Sequence, residues 1–77
     1  MVATRSVVQI DPEIVSGTPV FAGTRVPVES LFEFLQAGDS LDRFLDDFPS
    51  VSREQAITVL ETAREMVLQA ANAPAPR

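Results

Sequence analysis

Cysteine, histidine, lysine, tyrosine and tryptophan are all absent from this 77-residue chain. Each absence excludes a chemistry. Without cysteine there is no disulfide and no thiolate nucleophile. Without histidine there is no imidazole base, and a structural zinc site has neither of its usual ligands. Schiff-base lysines and tyrosine acids are excluded in the same way. Hydroxyls, carboxylates and arginines remain, and a serine with no histidine or lysine to activate it is a weak nucleophile. The composition points away from an enzyme, and no cofactor or metal is expected.

Long apolar runs are also missing. No stretch approaches the ~18 consecutive apolar residues that span a bilayer. Residues 1–10 lack the apolar region of a signal peptide. The expectation is a cytoplasmic protein that does not enter a membrane. Positive charge is scarce: six arginines face eleven acidic residues, for a net charge of −5 and a pI near 4.4. DNA-binding domains normally present a basic face, so this balance disfavours non-specific nucleic-acid binding. It suits a basic protein partner.

A chain this short allows one small domain. Its core supplies only about 3–5 kcal/mol of net stability. With no disulfide or zinc to staple it, a second protein surface is the expected staple, either another copy or a different chain.

What is present reads as a folding sequence, 45% hydrophobic with five Phe as its only aromatics. The segment Val7-Val8-Gln9-Ile10 is β-prone. Asp11 and Pro12 suit the N-cap and first position of a helical turn ending near Gly17. Ala22-Gly23 reads as a tight turn between two short β-prone pieces within residues 18–26, a small hairpin with Gly23 at positive φ. Pro27 opens the first main helix. Val28, Leu31, Phe32 and Leu35 form its apolar stripe, Phe34 widens it, and Gly38 ends it.

Ser40 caps a second helix with a stripe of Leu41, Phe44, Leu45 and Phe48, stopped by Pro49. Ser52 caps a third, with Gln55 completing a capping box. Its main stripe is Ala56, Ile57, Leu60, Ala63 and Val67. Its last turns, from Met66 to Ala71, are apolar nearly all round, which a lone surface helix should not be. The expected organisation is an N-terminal arm at residues 1–7, one domain at 8–71 and a flexible Pro/Ala tail at 72–77.

Residues 41–60 have the layout of a helix-turn-helix, whose second helix enters the major groove by its N-terminal residues. The candidate DNA contacts are Ser50, Ser52, Arg53, Gln55 and Thr58 on this unit, together with Arg25 from the preceding turn. Gln can pair with adenine and Arg with guanine. The competing reading is an ordinary capped helical hairpin, since Asp42, Asp46 and Asp47 would repel phosphate if they faced it. Asp42 and Asp46 share a helical face with Asp47 beside them. That trio is read either as a solvated acidic face or, less readily, as a Mg²⁺ site. Arg25 either binds a phosphate or partner carboxylate, or pairs with Glu29 or Asp11. The apolar end of the third helix either folds back on the N-terminal strands or packs on another chain. The candidate partner or dimer interface is Phe34, Met66, Val67, Leu68 and Ala71.

The run Ile10-Asp11-Pro12-Glu13-Ile14, followed by Ser16-Gly17-Thr18-Pro19-Val20-Phe21-Ala22-Gly23-Thr24-Arg25-Val26-Pro27-Val28, resembles the domain-of-unknown-function 433 family. So does the continuation through Leu35-Gln36-Ala37-Gly38 and Phe48-Pro49-Ser50-Val51-Ser52-Arg53-Glu54-Gln55. The resemblance covers about residues 8–65. It implies a mainly α fold: a small, homeodomain-like helix-turn-helix bundle of three main helices with a short N-terminal β-hairpin. It also implies a likeness to antitoxins of bacterial toxin–antitoxin pairs, of the VapB kind. These are often encoded beside a PIN-like ribonuclease toxin and are commonly homodimers. No catalytic residue carries over. The expected function is therefore to bind and neutralise such a toxin, with repression of its own operon through operator DNA. The alternative is a protein-interaction or dimerisation module of the same shape that never touches DNA. A DNA-binding dimer of net charge −10 (twice −5) would need its arginines gathered on one face.

Overall fold

In the computed structural model, residues 7–72 are described. Residues 1–6 and 73–77, most of the expected arm (1–7) and tail (72–77), lie outside them. The fold is mainly α. A two-stranded antiparallel sheet, β1 (Val8–Gln9) and β2 (Val20–Phe21), precedes three helices: α1 (Val28–Gln36), α2 (Leu41–Asp47) and α3 (Arg53–Asn72).

Local sequence sets the helix ends. Pro27 is the N-cap of α1 in extended conformation. Gly38 ends α1 at φ +94°. Its N–H donates to the Leu35 carbonyl at 3.1 Å, while the Asp39 N–H donates to the Phe34 carbonyl at 2.9 Å. This is a Schellman cap, and it needs a left-handed residue that glycine adopts without strain. The Ser40 hydroxyl accepts the Arg43 N–H at 3.1 Å and starts α2. At α3 the capping box is complete. Ser52 Oγ accepts the Gln55 N–H, and Gln55 Oε1 accepts the Ser52 N–H, both at 3.0 Å.

The expected hairpin is present in short form. The Ala22-Gly23 turn has Gly23 at φ +78°, and the returning chain makes the bridge Val20 to Pro27, with the Phe21 N–H donating to the Val26 carbonyl and the Val28 N–H to the Pro19 carbonyl, both at 3.0 Å. The strand pair proper is β2 with β1, in the register Val8 to Phe21 and Gln9 to Val20. The intervening segment is not an ordinary helical turn. Asp11 Oδ1 accepts the Glu13 N–H at 2.9 Å, an Asx turn. A short 3₁₀ element follows at Val15–Gly17, with Val15, Ser16 and Gly17 all at positive φ. Ten residues must reverse direction between two paired strands, and a left-handed turn does this in three of them.

The core is Val7, Phe21, Leu31, Phe44, Val51, Ala56 and Val59. Val7, assigned by the sequence to the arm, is buried in it. Phe44 is fully buried, and its ring lies 4.9 Å from Phe48, 5.4 Å from Phe34 and 6.0 Å from Phe21. The α2 stripe is as expected. The α3 stripe is rotated: Val59 faces the core, while Ile57 and Val67 face solvent. A helix apolar over a wide arc can bury more than one face, and the position of α2 and the sheet selects which.

Candidate functional site

Two surfaces come forward: the start of α3, and its far end. At the start, most of the polar groups expected to read DNA are already engaged. Ser52 and Gln55 bond one another in the capping box. The remaining Gln55 group, Nε2, donates to the Ala22 carbonyl at 3.0 Å, tying α3 to the Gly23 turn. Bidentate pairing with adenine needs both ends of that amide. Arg53 is ion-paired with Asp42, and Arg43 with Asp47 at 3.2 Å. Ser50 is exposed in the turn, and Thr58 is half-buried one turn into α3.

The arginines do not form a basic face here. Arg43 and Arg53 are held by carboxylates, each pair well exposed. Arg25 is exposed, and among the described residues neither Glu29 nor Asp11 pairs with it. Arg64 is exposed on α3, away from the start of that helix, and Arg5 and Arg77 lie outside the described residues. The acidic trio stays on the surface of α2. Among the described residues no three carboxylates converge as metal ligands would. No polar or charged side chain among the described residues is buried.

The far end of α3 is the second surface. Residues 64–71 are all exposed. Met66 and Val67 each retain 66% of their surface exposed, and Leu68 retains 45%. The helix does not fold back on the strands. Of the expected interface residues, Met66, Val67, Leu68 and Ala71 lie on this end. Phe34 does not: it packs edge-on against Phe44 and, at 5.5 Å, against Phe48. Phe34 is within reach of two other rings and packs against the core.

A family model described as a protein of unknown function, DUF433, matches residues 8–62, the greater part of the chain. The chain belongs to the DUF433 family. A similar protein is the uncharacterised protein y4eO of Sinorhizobium fredii, 42% identical over 55 residues. That match takes in 71% of this chain but 25% of the relative, so the chain spans about a quarter of that protein's length. A crystal structure of a DUF433 member from Anabaena variabilis superposes with a TM-score of 0.67 at 24% identity. It covers 82% of this chain and 62% of the other. That likeness establishes the shared fold. The DUF433 match ends at residue 62, close to where burial along α3 gives out. Among the described residues, no helix is long and apolar enough to cross a membrane.

Proposed function

We propose that this DUF433 chain is a non-catalytic protein-interaction module whose partner chain seats on the far end of α3. The observation that carries the reading is the exposure of Met66, Val67 and Leu68 on one stretch of helix. Burying such side chains yields roughly 1.5–3 kcal/mol each, a large gain for a domain this small. In its specific form the module is a cytoplasmic antitoxin, and the partner is the PIN-like ribonuclease that the family resemblance implies. The acidic balance supports a basic partner. A homodimer through the same helix end is the competing occupant.

Operator binding has weaker support than partner binding. Reading bases through Arg53 and Gln55 would first require breaking the Asp42 pair and the bond to the Ala22 carbonyl. The module that does not touch DNA is therefore the favoured form.

The test is co-purification. The chain is expressed with its immediate gene neighbours, tagged ahead of Met1, and the eluted proteins are weighed and identified. A stoichiometric ribonuclease whose activity appears only when this chain is removed supports the antitoxin reading. Elution as a dimer alone rejects it in favour of self-association. An Arg53→Ala protein that binds operator DNA with unchanged affinity and salt dependence removes the DNA role assigned to that helix start.

A further inference from the structure

Arg25 is not absorbed by this reading, and it does not sit on a flat surface. It lines an open groove of about 630 Å³ between the Gly23–Pro27 segment and the turn after α2. Ile14, Val26, Pro27 and Phe48 supply apolar walls. Most polar groups along the groove are already committed within the chain. Gln9 Oε1 accepts the Gly23 N–H at 2.7 Å. Thr24 Oγ1 donates to the Phe21 carbonyl at 2.8 Å and accepts the Val26 N–H at 3.0 Å. What remains among the described residues is one guanidinium, from Arg25, one hydroxyl, from Ser50, and the amide Nε2 of Gln9.

Among the described residues no carboxylate is ion-paired with this arginine, although the chain's net charge is −5. The chain just after Ile14 carries backbone strain. Val15 is β-branched and sits at φ +49°, next to Ser16 at φ +56°. Such conformations are costly for residues other than glycine and cluster where function holds them. Here the strained turn follows Ile14, a groove wall. Ile10 and Val15, on either side of Ile14 in sequence, keep 67% and 40% of their surface exposed.

We propose that this groove docks a segment of a partner protein in which an acidic side chain stands between apolar ones. Arg25 forks onto the carboxylate, the geometry at which arginine excels, and Ile14, Val26 and Phe48 take the apolar neighbours. A nucleic-acid backbone fits less well. It brings many phosphates toward an acidic chain and no apolar groups for the walls. The groove and the far end of α3 are separate surfaces, so either assignment can fail without the other.

The experiment uses the full ¹⁵N-labelled chain and three probes. These are an N-acetylated, C-amidated hexapeptide alternating Leu and Glu, the same peptide with Lys for Glu, and a 12-nucleotide oligo-dT. The Leu/Glu peptide is expected to shift the Gly23, Arg25 and Ser50 amide signals saturably. Arg25→Gln is expected to weaken that binding about tenfold or more, the scale of one charged hydrogen bond. Arg25 is exposed, so an unchanged spectrum elsewhere establishes that the variant is folded. Absence of a saturable shift overturns the proposal. So does equal binding of the Lys peptide, which would make the contact merely apolar. Shifts by oligo-dT that are lost in Arg25→Gln would assign the groove to nucleic acid instead.

Discussion

The two halves of α3 have opposite fates, although the second, residues 63–72, holds six apolar residues to the four of the first. In the first half, Ala56 and Val59 are buried against Phe44 and its neighbours. In the second half, Met66, Val67 and Leu68 face water. Both halves are helical. The first is held by a capping box and a core. The second has neither, and its Ala, Arg, Glu, Met, Leu and Gln are strong helix formers, so propensity and continuity carry the helix past its tertiary support. The lesson is that helicity and burial are decided separately. The region shared with the DUF433 family coincides with the part that packs, and the exposed end lies beyond it.

The most forceful way to break this contrast is at Phe44. Phe44→Ala is expected to cost about 3–5 kcal/mol, near the whole stability of a domain this size, and chemical denaturation followed by circular dichroism should show no cooperative transition. A cooperatively folded variant would mean that the rings around Phe44 are not the organising core. Gln55→Ala is expected to cost about 1–2 kcal/mol, since it removes half of the capping box and the bond to the Ala22 carbonyl. Its midpoint in urea reads that directly, and a change below a few tenths would show that α3 does not need its tie to the Gly23 turn.

Val15→Asn should stabilise by about 1 kcal/mol, because asparagine tolerates the left-handed region that valine resists; a lower melting temperature would contradict the strain. The smallest stability effect belongs to the far end of α3. Replacing Met66, Val67 and Leu68 together by Gln is expected to stay within about 0.5 kcal/mol of the parent. The same variant should lose its partner in co-purification. A large stability loss would instead show that this end packs on the domain.

The caps were legible because they are local. Ser40, the Ser52–Gln55 box and Gly38 each act within a few residues, and each sits where the sequence pattern placed it. The pairing of β1 with β2 was not legible. The Ala22-Gly23 turn pointed to the short hairpin, whereas the strand that pairs with β2 lies across a left-handed turn at Val15–Gly17 that no propensity favours at valine. The α3 stripe was half legible. Ala56 and Leu60 were assigned to the packed face and Val59 was not, because the breadth of apolar residues left the helix rotation open.

The candidate site was legible in the same uneven way. The exposed apolar end of α3 showed in its sequence as a helix apolar nearly all round. The engagement of Arg53 by Asp42, eleven residues away, and of Gln55 by Ala22, thirty-three residues away, left no sequence signal. Both depend on how α2 and the Gly23 turn approach α3.

By itself the sequence determined where each helix starts and where α1 and α2 stop, because capping, proline and glycine act through bonds within one turn of chain. It also determined that no disulfide could staple the domain. Only the tertiary structure decided which face of α3 is buried, which polar groups at its start are already taken, and that Arg25 has no ion pair among the described residues. Those outcomes depend on contacts between residues far apart in the chain, where one approach of two elements satisfies some groups and leaves others open to a partner.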